Sequence, residues 1–176
     1  MNIVTFSGRI IDPLRPEAEQ IVIEDIAHAL SQICRFTGHT REFMSVAQHS
    51  VHCAALVTPE LALTALLHDA SEAYLADIAR PVKLDPDFGP FYRTAETRLE
   101  RVIADRFNLV YPFPAEIHRA DNIMLRTEQR DLMPDLLREQ GGDLLPALPL
   151  RPMEPREAER AFLHRFNSIQ YEAQVV

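Results

Sequence analysis

Glycine is scarce in this chain, with 5 among 176 residues, tryptophan is absent, and only two cysteines are present. So few glycines leave little material for a backbone loop that cradles phosphates, and neither GxGxxG nor GxxxxGKS/T occurs. Any phosphate chemistry must therefore use another device. Cys34 and Cys53 stand apart without CxxC spacing, and the opening MNIVTFSGRI has neither a charged leader region nor a long apolar one. A reduced cytoplasmic setting is the expectation. No apolar run approaches the roughly 18 residues that cross a bilayer, so no membrane association is expected. Positive charge is also in short supply, with 18 Lys and Arg against 26 Asp and Glu. The formal charge of −8 disfavours a protein that wraps a nucleic-acid polymer by neutralising its phosphates. A small-molecule ligand stays compatible, because a local basic pocket can sit on an acidic body.

What the chain does contain is amphipathic helix. Its length suits one compact domain over residues 1–176. The stretches IVTF and QIVIED, separated by the turn-rich DPLRPEAE, predict a short β-hairpin as an addition over residues 1–23. From Ile23 the apolar period becomes helical and runs toward Gly38, and residues 24–133 form the helical core. A second helix is expected from Ser45 to Leu56. Thr58 and Pro59 read as the cap and first position of a helix ELALTALLHDASEAYL. Further helices are expected at 89–107 and 115–132, then a Pro- and Gly-rich loop at 134–155 and a last helix to about Tyr171. The fold class is mostly α with a short N-terminal hairpin.

The adjacent pair His68-Asp69 inside an apolar helix is the anchor for function, since ionisable residues rarely face a core unless paired or bound to metal. Other helices must complete such a shell. His49 in VAQHSVHCAA and Asp121 in HRADNIMLRTEQRD are polar residues beside apolar stripes. Two imidazoles and two carboxylates form a mixed nitrogen and oxygen site suited to one divalent ion of Mn, Fe, Co, Ni or Zn. Such an ion polarises a phosphoryl oxygen and lowers the pKa of water toward ~7. Glu72, three and four residues further on, is the candidate general acid or base. Asp77 can bind a substrate hydroxyl. Lys83, Arg80, Arg126 and Arg130 are candidate phosphate contacts. His39 is the rival first ligand, and His28, His52, His118 and His164 are read as structural or surface residues.

The stretch HDASEAYLADIARPVK, with SVAQHS upstream and ADNIML downstream, resembles the HD-domain phosphohydrolases, and more narrowly small members similar to 5′-deoxynucleotidases. The resemblance covers most of the chain. It implies a helical HD bundle in which His49, His68, Asp69 and Asp121 bind the metal. Glu72 then assists proton transfer, and Arg35, Phe36 and Asp77 hold a nucleotide. Those relatives carry Trp where this chain has Phe36. The implied reaction releases nucleoside and phosphate, and some similar proteins instead release tripolyphosphate from dATP. A non-catalytic nucleotide-binding module is the reading from another class. Small members of the family form homo-oligomers, which makes that the expectation here by analogy.

Overall fold

The computed structural model describes residues 2–134 and 150–175. The expected loop at 134–155 therefore lies largely outside the described residues. The fold is mostly α, with a two-stranded antiparallel hairpin near the N-terminus.

The hairpin pairs β1 (Ile3–Val4) with β2 (Ile10–Ile11) around a turn in which Gly8 takes a φ of +83°. Only a residue without Cβ adopts that conformation at no cost. QIVIED was expected as the second strand and is not one. Its Ile21 is buried in the core, and Ile23 already opens helix α1 (Ile23–Gln32). Ser7 ties the hairpin to that helix, donating its backbone N–H (2.6 Å) and its hydroxyl (2.8 Å) to the Asp25 carboxylate.

Helix α1 stops at Gln32, short of Gly38. Cys34 bridges to Ser45 in extended conformation, with Arg35 N–H on the Met44 carbonyl at 2.8 Å. The next residues, Phe36 and Thr37, have φ of 52° and 56°, so the chain turns sharply beside the future site. Ser45 then caps helix α2 (Val46–Ala54) by accepting the Gln48 N–H at 3.1 Å.

The single helix expected after Pro59 is broken in two. A 3-10 turn at Pro59–Leu61 leads into α3 (Ala62–Leu66), and α4 (Glu72–Leu75) follows a turn of its own. Thr58 makes no side-chain cap. The break has a local cause: His68 Nδ1 takes the Ala65 carbonyl at 2.7 Å, the oxygen that a continuing helix would offer to Asp69. The bonds Ala70 to Leu67 and Glu72 to Asp69 are then of the tighter 3-10 kind. His68 and Asp69 thus sit on a turn rather than in a helix interior.

Short α5 (Arg80–Lys83) precedes α6 (Gly89–Phe107), which ends at Asn108 in the left-handed region. A Cβ at Gly89 would collide with the Lys83 carbonyl, so glycine lets α5 lie against α6. Helices α7 (Ala115–Leu132) and α8 (Pro155–Val175) complete the described elements, α8 running four residues past the expected end at Tyr171. The core lies where α1, α2, α3 and α8 meet, around Ile26, Leu30, Leu66 and Phe162. Helix α2 also packs against α7, and the polar interior lies there.

Candidate metal centre and cleft

His49 projects from the middle of α2 and is fully buried. Its Nδ1 faces Glu128 Oε1 at 2.6 Å, which leaves Nε2 to point at a group of acceptors. Asp121 Oδ1 on α7 lies 3.3 Å from that nitrogen, Asp69 Oδ2 lies 3.6 Å away, and Cys53 Sγ, one turn along α2, lies 3.4 Å away. His68 enters from the α3–α4 turn. With Nδ1 held by the Ala65 carbonyl, its Nε2 is buried without a hydrogen-bond partner and lies 3.3 Å from the same Asp69 oxygen. The two imidazole centroids are 5.5 Å apart.

Both histidines therefore have one ring nitrogen fixed by an acceptor and the other turned inward. This is how protein histidines are oriented for a metal. The donor atoms of His49, Cys53 and His68 lie within 4.8 Å of one another, and the three buried residues can hold a metal ion. The electrostatics agree. Burial and Arg35 both oppose charge on His49, yet Cys53, Glu128 and hydrogen-bonded Asp121 outweigh them and hold its imidazole well above the ordinary histidine range. Asp121 is held below the usual carboxylate range: burial pushes the other way, and the hydrogen bond from His49 with the charges of His49, His68 and Arg35 prevails. The carboxylates favour positive charge at this point.

A cleft of about 890 Å³ opens from the centre, and Asp69, Glu72, Asp77 and Asp121 stand in its wall. Glu72 is buried, with Oε2 unpartnered and Oε1 3.3 Å from Lys83 Nζ. Burial raises its carboxyl well above the usual range, Asp69 and Asp77 raise it further, and Lys83 and Arg35 only partly oppose them. Lys83 lines the cleft with its ammonium shared between Glu72 and Glu96, the latter at 2.9 Å. Arg35 donates Nε to Glu128 at 3.0 Å and lies 3.7 Å from Asp77, with Phe36 alongside at 5.6 Å from its guanidinium carbon. Asp77 follows Ala76, whose φ of 65° and ψ of 159° belong to a region that is otherwise glycine's. His39 lines the cleft instead of joining His49, and Arg130 forks onto Asp131 at 2.6 and 2.8 Å.

No family model matches the chain. It is 41% identical over 177 residues to the uncharacterized protein YfdR of Escherichia coli K12, covering 95% of this chain and 94% of that one. The chain belongs to the YfdR family. An uncharacterized protein of Rhodobacter capsulatus is 37% identical over 139 residues, covering 72% of this chain and 70% of its own.

Two residues of this YfdR-family site carry no mark in the sequence taken alone. Glu128 is fully buried and joins His49 to Arg35, and those two cations keep its carboxylate below the usual range against the opposing effect of burial. Its signal is the spacing: it lies seven residues, two helical turns, after Asp121 and so on the same face of α7. Cys53 lies four residues after His49 on the same principle. Helical spacing around a ligand already chosen finds both.

Proposed function

We propose that this chain is a metal-dependent phosphohydrolase of the HD kind acting on a 5′-nucleotide, a deoxynucleotide first. One observation carries the reading: His49 from α2, His68 and Asp69 from one turn, and Asp121 from α7 converge within 3.3 to 3.6 Å contacts. These four would hold one divalent transition ion, with Cys53 at the edge of the set. Such an ion, when bound, polarises a phosphoryl oxygen and brings the pKa of water toward ~7.

The chain's own groups supply the rest. Glu72, in the cleft wall with one unpartnered oxygen, is placed to take a proton from attacking water or give one to the leaving oxygen. Arg35, fixed by Glu128 and Asp77, offers its remaining N–H groups to phosphate. Phe36 stands beside it for the base or sugar, and Asp77 for a sugar hydroxyl. The cleft volume falls in the range of small-ligand sites, ~300–1,000 Å³.

Arg80, Arg93 and Arg126 share the cleft with Arg35 and Lys83, more cationic side chains than one phosphate needs. That observation favours the second reading, a dNTP triphosphohydrolase. A module that only binds nucleotide has no use for Glu72 where it stands. The discriminating experiment offers deoxynucleoside mono- and triphosphates in parallel to metal-loaded protein and separates the products. Nucleoside and phosphate from the monophosphates are expected; tripolyphosphate selects the second reading, and no product from either overturns both.

A further inference from the structure

The hairpin, α1 and the opening turns of α8 border a second, open cavity, of about 870 Å³, that shares no lining residue with the central cleft. Its wall is Phe6, His28, Gln32, Arg156, Glu159 and Arg160. We propose that it is a second ligand site, built for a nucleoside phosphate.

Phe6 stacks on His28 with ring centroids 3.8 Å apart and planes 11° from parallel, yet remains 64% exposed. An exposed aromatic alone is ordinary. This one is anchored, because the neighbouring Ser7 bonds Asp25 through both its N–H and its hydroxyl. The stack therefore offers an open π face at a fixed position, which is what a purine or pyrimidine ring binds without much regard to its identity.

The charges suit the rest of such a ligand. Arg156 and Arg160 are exposed and one turn apart on α8, linked where Arg160 Nε donates to the Arg156 carbonyl at 3.2 Å. Neither guanidinium has an ion-pair partner among the described residues. The acid of the wall, Glu159, is turned to His28 Nδ1 at 3.2 Å. Two arginines thus remain for an anion on a chain of formal charge −8. Arginine forks match phosphate oxygens in pairs. Gln32, one turn from His28 on α1, adds an amide with both donor and acceptor for a base edge.

The test uses Asp69→Asn protein, so that the probe is not consumed, and follows amide NMR shifts while AMP or inorganic phosphate is added. Among the residues of this wall, AMP is expected to shift Phe6, His28, Arg156 and Arg160 saturably, and phosphate to shift Arg156 and Arg160 alone, apart from any response of the central cleft. The double variant R156A/R160A is expected to abolish both responses at this wall and to leave those of the central cleft unchanged. Phe6→Ala is expected to weaken AMP at least tenfold, about 1.4 kcal/mol, and to leave phosphate unchanged. Shifts confined to the cleft residues Arg35, Phe36 and Asp77, or wall shifts unaffected by R156A/R160A, would overturn the second site while leaving the central cleft as described.

Discussion

Where α1, α2 and α8 meet, Leu30, Ala47 and Phe162 are buried without a polar atom among their side chains; between α2 and α7, His49 and Glu128 are just as dry and are ionisable. The same helix α2 serves both interiors. The first stabilises by removing apolar surface from water, about 25 cal/mol per Å². The second does not follow from stability, since desolvating ionic groups costs about what their attraction returns, and apolar replacements are often as good. Such an interior adds little to stability, and its buried histidines and cysteine could hold a metal ion.

The comparison breaks most sharply if His68 and Asp69 are both changed to Ala. Turnover of nucleotide, as proposed, is expected to fall to background while the melting midpoint holds or rises, because a congested set of largely buried polar groups has been relieved. A midpoint that collapses with activity would make the pair a structural element. A finer contrast sets Phe162→Ala against Glu128→Ala. Each is expected to cost about 3–5 kcal/mol in denaturant unfolding, the first by a cavity and the second by removing the buried carboxylate that Arg35 and His49 share. Only Glu128→Ala is expected also to weaken metal binding, by roughly 10–100-fold, because His49 loses its orienting carboxylate. Equal metal affinity in the two variants would dissolve the distinction.

The smallest effect is expected at Ala76, where a Cβ is forced into a glycine conformation. Ala76→Gly is expected to raise stability by about 1 kcal/mol, strain relief exceeding the entropy that glycine adds to the unfolded chain. Turnover should fall a few-fold as Asp77 loosens. Unchanged turnover would free Asp77 from a role in the reaction.

How far the sequence showed all this depends on which force set each feature. The bounds of α6 and α7 were readable because a long apolar period repeats over five turns or more. The break at His68 was not, because it comes from one imidazole taking one backbone carbonyl, and that contact has no periodic trace. The second strand differs from the expected one since Ile21 is buried in the core just before α1 and Ile23 is the first residue of that helix, so that tertiary burial overrode the local β-branched pattern. In the site, His68 and Asp69 were legible as ionisable residues in an apolar stretch, and His49 and Asp121 as polar residues beside the apolar stripe of amphipathic segments; the structure brings the four together. Glu128 and Cys53 were hidden by the opposite circumstance: each reads as a commonplace residue until the neighbouring ligand is placed in three dimensions.

The most direct measurement is metal content and turnover, made side by side on the unchanged protein and on Glu72→Gln after metal stripping and resupply with Mn, Co, Ni, Zn or Mg. One ion per chain in both proteins is expected, with turnover restored only in the first and lower by about 10²–10⁴-fold in the second. Loss of the ion in Glu72→Gln would contradict a proton-transfer role for Glu72, and equal turnover with and without metal would contradict the ligand role of His49, His68, Asp69 and Asp121.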